Sequence, residues 1–279
     1  MNNRAVVKHC LALLALAAAA SPGWAQTLET ETAFLTPRGE WSAGTAYEYQ
    51  TSSEGKEAAL PFLVEYGLAD RLELVIEPVA YTAIRPQQSA HATGAGDIET
   101  TLVWRLNHAS GDRPLFALAG EVKIPTARNE LIGTGKTDYA VYGIASQRFG
   151  SFDLHANLSY TLVGKPAGVP VSNLFGYAIA GTFHATPRLD AFAEFTGTTA
   201  ASGGSDAPDQ AVAAAQLMTS GAANDVSENP VTPELAGSER VATLGLGFRT
   251  RPTLLLFGSV SYDNLHATLL RLGYIWRIR

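Results

Sequence analysis

The side chains that could do chemistry in this chain fall on one parity of alternating segments. Glu48, Glu65, Glu73, Glu77, Asp97, Glu99, Arg105, Glu121, Lys123, Asp153, His155, Asn157, Glu194, Arg249, Arg271 and Arg277 each sit between apolar neighbours at every second position. Side chains alternate faces along a strand, so such a set shares one face of a sheet. Carboxylates and cations facing each other in an enclosed space can select ions and solutes through their field, or pair and close the space. Pairing is the expected role for any single residue of the set.

Nucleophilic catalysis needs a nucleophile and a base in hydrogen-bond contact. His155, Asn157 and Ser159 share one strand face, but successive same-face positions are about 7 Å apart, which is out of reach. Gly94 and Gly96 resemble a phosphate loop only in composition, because no helix follows them. The six histidines show no metal-ligand spacing. No catalytic residue, cofactor or metal ion is expected.

Strands must position the polar set, and Phe152–Leu162 is the clearest of them. Phe152, Leu154, Ala156, Leu158, Tyr160 and Leu162 oppose Asp153, His155, Asn157, Ser159 and Thr161. Such a length suits a tilted strand crossing a hydrocarbon core. About twelve segments of this kind are predicted over 40–279, although Asp138–Arg148 carries aromatics on both parities. Every second connection is short, as at Gly67–Asp70, Phe149–Ser151 and Thr250–Pro252, while the intervening ones are mostly longer. Turns on one rim and loops on the other describe an outer-membrane antiparallel up-and-down β-barrel, with periplasmic turns and extracellular loops. A soluble sandwich has no reason to sort its connections by parity. Outward Arg or Lys at mid-depth would cost roughly 2–4 kcal/mol, so the polar set belongs inside. Twelve strands fall between a filled eight-stranded barrel and a wide pore. The reading is a narrow pore, with a closed lumen as the alternative.

Residues 1–25 read as a cleaved signal peptide: Arg4 and Lys8, an apolar run from Leu11 to Ala20, a break at Ser21-Pro22-Gly23, and a site after Ala25. Its removal takes away the single cysteine, Cys10, and leaves 18 basic against 26 acidic residues. A net negative chain without a basic stripe argues against nucleic acid. Residues 26–39 form a polar leader placed in the periplasm. The longest loop, 199–238, has a short helical pattern over Pro208–Met218 and is expected either to fold over the mouth as a lid or to remain a surface loop.

Several short stretches carry a family resemblance. They are Gly94-Ala-Gly-Asp97-Ile-Glu, Ala117-Leu-Ala-Gly-Glu-Val-Lys-Ile-Pro125-Thr126, Gly133-Thr-Gly-Lys-Thr-Asp138-Tyr, Phe149-Gly with Leu154-His-Ala-Asn157-Leu-Ser-Tyr160, and Gly273-Tyr-Ile-Trp276-Arg-Ile. In this order they resemble the outer-membrane family of the phenol meta-degradation pathway (MetA-type), whose members are described as transporters. Ala127 departs from the glycine that family members tend to carry there. The resemblance implies a barrel of this size and passage of small solutes, hydrophobic or aromatic ones among them.

The last strand sets Gly273, Trp276 and Ile278 at the spacing of an insertion signal, with Arg279 added beyond the usual terminal aromatic. The expected partners are outer-membrane lipid, the barrel-insertion machinery and a small solute. The expected role is a passive outer-membrane channel, the alternative a closed structural or surface-interaction barrel, and in neither case an enzyme.

Overall fold

The computed structural model describes residues 28–87, 90–108, 113–165, 173–199 and 239–278. The signal peptide and nearly all of loop 199–238, with its helical pattern and its lid, lie outside the described residues. Thirteen strands form one sheet: β1 (Trp41–Thr51), β2 (Gly55–Ala69), β3 (Leu72–Pro86), β4 (Ala92–Gly94), β5 (Ile98–Arg105), β6 (Leu115–Ile124), β7 (Asp138–Phe149), β8 (Phe152–Leu162), β9 (Leu174–His184), β10 (Leu189–Thr198), β11 (Arg240–Arg251), β12 (Leu254–Asp263) and β13 (Thr268–Ile278). No described residue is helical.

Twelve of these strands close a ring. Each pairs antiparallel with its sequence neighbour, and β1 pairs with β13 from Trp41↔Ile278 to Thr51↔Thr268. Closure removes both sheet edges, so every ladder N–H and C=O has a partner without water. The short β4 adds only to the far end of β3, over Thr82–Ile84. Pro61, which cannot donate to a ladder, sits where the β2–β3 register shifts.

The apolar parity faces outward. Leu158 is 58% exposed, Leu244 64% and Leu272 66%, values that only lipid can accommodate in a protein this apolar outside. Trp41, Tyr66, Trp104, Phe149, Phe183 and Trp276 ring the short-turn end, and Tyr81, Tyr139, Tyr160, Phe175 and Tyr262 ring the other. These are the two interfacial girdles of an outer-membrane barrel. Lys56, Arg85, Arg240 and Arg251, the exposed charges on the described strands, all lie at strand ends. The chain is a β-barrel of the bacterial outer membrane.

Parity in β7 is settled by its partners. Tyr139 and Val141 point out, while Tyr142 points in and its hydroxyl donates to Glu121 Oε2 at 2.9 Å. Two inward aromatics are admitted by glycines on the neighbouring strand. Phe192 lies over Gly245 and Phe257 over Gly273, in direct register.

The leader is a correction. Expected in the periplasm, residues Leu28–Thr36 instead run through the barrel, and Thr30, Ala33 and Thr36 are at most 5% exposed. The segment re-emerges at the short-turn rim, where Gly39 takes a positive φ of 80° and Arg38 bridges Gly67. The physical reason is composition: a run of threonines and glutamates hydrogen-bonds a polar interior, which a water-exposed tail would not need. Of the two readings of the lumen, a narrow pore and a closed one, the leader lying inside favours the second.

Candidate functional site: the barrel interior

Inward charges form four groups in the barrel. Nearest the short turns, five side chains on consecutive strands alternate in sign. Arg148 on β7 grips Asp153 on β8 through two bonds of 2.6 Å. His184 on β9 lies 3.0 Å from Asp153 and 2.7 Å from Asp190 on β10. Arg249 on β11 closes the row at 2.5 Å from Asp190. Each carboxylate is nearly buried and has two partners, so desolvation is offset within the row.

At mid-depth the leader becomes part of the site. Arg271 on β13 binds Glu48 on β1 at 2.6 Å and also pairs with Glu29 of the leader. Glu194 on β10 accepts from Thr30 N–H at 2.6 Å and Thr30 Oγ1 at 2.5 Å. Ser146 Oγ on β7 meets His155 Nδ1 on β8 at 2.9 Å and accepts from Ala33 N–H at 2.9 Å. Thr32 Oγ1 lies 3.2 Å from the same histidine nitrogen. Asn157 faces the Glu31 backbone; with its amide turned to suit both partners, it donates to the Glu31 carbonyl at 3.0 Å. Phe34 sets its ring against the His155 edge, with the Arg148 guanidinium 5.3 Å from its centroid.

One wall is acidic. Glu65 and Glu73 both accept from Thr36, at 3.2 and 2.8 Å, and the cationic Arg277 acts on both. Glu77 and Glu99 on β3 and β5 are half-buried beside Glu121 on β6. The half-buried Glu31 of the leader lies near Glu77, Glu121 and Glu73 of this wall.

Near the long loops, Lys123 on β6 is fully buried between Asp138 on β7 and Asp97, the latter at 3.9 Å. Asp97 also accepts from Ala127 N–H at 2.8 Å and Asp138 from Gly164 N–H at 2.6 Å, pinning two loops to the wall.

Most sequence-predicted positions therefore point inward, with two differences. Asp97 precedes β5 rather than lying on it. Arg105 ends β5 at the rim, where it donates to the Asp70 carbonyl at 2.7 Å rather than lining the lumen. The reason is that a strand's last residue has run out of barrel wall. Gly273 faces inward beneath Phe257, while Trp276 and Ile278 face lipid.

Arg148, His184, Asp190, Ser146 and the leader threonines were missed. Asp190 alone was legible, on the polar parity of its strand. His155 makes its hydroxyl contact across the β7–β8 ladder with Ser146, not along its own strand with Ser159. That serine is 1% exposed and occupied by the leader. No group of His, Cys, Asp or Glu among the described residues is arranged to hold a metal.

No family model matches the chain, and no curated protein does. Solved structures do. The NanC porin matches 84% of this chain and 98% of its own at 10% identity, with a TM-score of 0.54. The KdgM porin, solved in complex with disordered oligogalacturonate, matches the same shares at 7% identity, with a TM-score of 0.52. At such identities the likeness is one of fold, a closed antiparallel β-barrel.

Proposed function

We propose that this barrel is a passive outer-membrane channel for small solutes. The observation that carries the reading is the sorting of side chains. A lipid-facing exterior surrounds an interior rich in carboxylates, cations and hydroxyls, with apolar patches between them. The porin-like fold agrees. Aromatic and hydrophobic solutes are the class implied by the phenol-pathway resemblance, and we retain them as the first to try. Insertion through the Gly273–Ile278 signal is part of the same reading.

Reconstitution in planar bilayers, followed by flux of phenols, sugars and amines into liposomes, tests it. Conductance with solute-dependent flux is the expected result. Silence with every solute, from the full chain and from a variant without its leader side chains alike, overturns it. The second reading, a closed barrel whose loops bind partners, is favoured by one observation, the leader lying across the lumen.

A further inference from the structure

We propose that Leu28–Thr36 is a tethered plug, and that the wall groups holding it form a binding track for solutes bearing N–H or O–H donors. The inference rests on the channel reading and adds to it a gate and a solute class.

The leader touches the wall all the way round. Leu28 packs with Ala46, Phe192 and Ile275, on β1, β10 and β13. Ala33 packs with Val103, Ala117 and Tyr142, on β5, β6 and β7. Thr36 then binds β2 and β3 through Glu65 and Glu73. A segment spanning opposite walls blocks what a twelve-stranded ring would otherwise leave open. The cavity beside it, between Glu29, Tyr142, Asn157, Ser159 and Thr196, has a volume of about 50 Å³. That is room for a few waters, not for a solute.

The leader is nevertheless held as a ligand is held. Leu28–Thr36 joins no strand ladder. Three main-chain N–H groups at every third residue, Thr30, Ala33 and Thr36, donate to the side chains of Glu194, Ser146 and Glu73. Side-chain acceptors of this kind exchange a peptide for water or solute without breaking the barrel. The hinge is fixed where the segment leaves. The Pro37 carbonyl crosses so close to Gly67 that a Cβ there would stand 2.1 Å from it, and Gly39 makes the positive-φ turn into β1. Release at the Leu28 end would swing the leader out through the short-turn rim.

The vacated groups define what may follow. Glu194, Glu73, Glu65 and Ser146 all accept from the leader. Their best guests are neutral hydroxylated or cationic solutes, and carboxylated solutes are their worst.

The test compares the full chain with a variant whose residues 28–36 are replaced by Gly and Ser at equal length, with folding checked by heat-modifiable gel mobility. Severalfold higher conductance in the variant, reversed by a synthetic peptide of residues 28–36, supports the plug. Equal conductance in both overturns the plug and leaves the channel standing. Silence in both overturns the channel reading, and the inference falls with it. A second variant, Glu194→Gln with Glu73→Gln, keeps the leader and weakens its grip; unchanged open probability counts against the plug even if the first variant misfolds. In swelling assays on the open variant, sugars and amines should enter severalfold faster than carboxylates of equal size. Equal rates remove the donor track.

Discussion

Thr30 and Glu194 stand 164 residues apart in sequence, yet one Glu194 oxygen accepts both the N–H and the hydroxyl of Thr30, at 2.6 and 2.5 Å. Hydrogen bonds to a buried charge contribute about 1.5–3 kcal/mol each. Glu194→Gln should therefore loosen the leader while the barrel persists. Hydrogen exchange should show faster exchange at Thr30 and Ala33 and unchanged protection in β9 and β10.

Lys123 on β6 neutralises two carboxylates on either side of it, Asp97 just before β5 and Asp138 at the start of β7. Lys123→Met leaves both buried and uncompensated, a loss of roughly 3–5 kcal/mol. Asp97→Asn in addition should recover part of it. Urea midpoints in detergent read both effects.

Phe192 occupies the space above Gly245, where a Cβ would lie 2.2 Å from the ring. Gly245→Ala should cost about 1–3 kcal/mol by overpacking. In a Phe192→Leu background the cost should shrink, and a double-mutant cycle measures the coupling. Additive losses would mean that the Gly258 carbonyl, 2.7 Å from the same Cβ, sets the cost instead of the ring.

Leu272 lies on the lipid face of β13 with 66% of its surface exposed. Leu272→Arg should destabilise the folded barrel by roughly 2–4 kcal/mol in bilayers. The change should be far smaller at Tyr81, beyond the core. Equal costs at the two depths would argue that the outer face does not meet hydrocarbon.

The wall of the barrel was legible in sequence because strand parity is a local property. β8 begins and ends at the predicted Phe152 and Leu162, since each polar–apolar step repeats without reference to any other strand. The contents of the barrel were not legible, because they depend on register between strands. Asp153, His184 and Asp190 meet only once β8, β9 and β10 are aligned. β7 resisted reading because Tyr142 is an aromatic on the inner face, excused by a hydroxyl bond to Glu121 that no periodicity reveals. The leader has neither period, so nothing local in it signals a place inside the barrel. Its order comes wholly from side chains far away in sequence.

Leu28 at one end of the described chain packs in the same cluster as Ile275 near the other. The strand carrying Ile275 is the one that seals the cylinder against β1. The leader, made before any strand, is therefore either in place when the last strand shuts or threads in afterwards by an open mouth, and a chain cut between β1 and its leader would close without it.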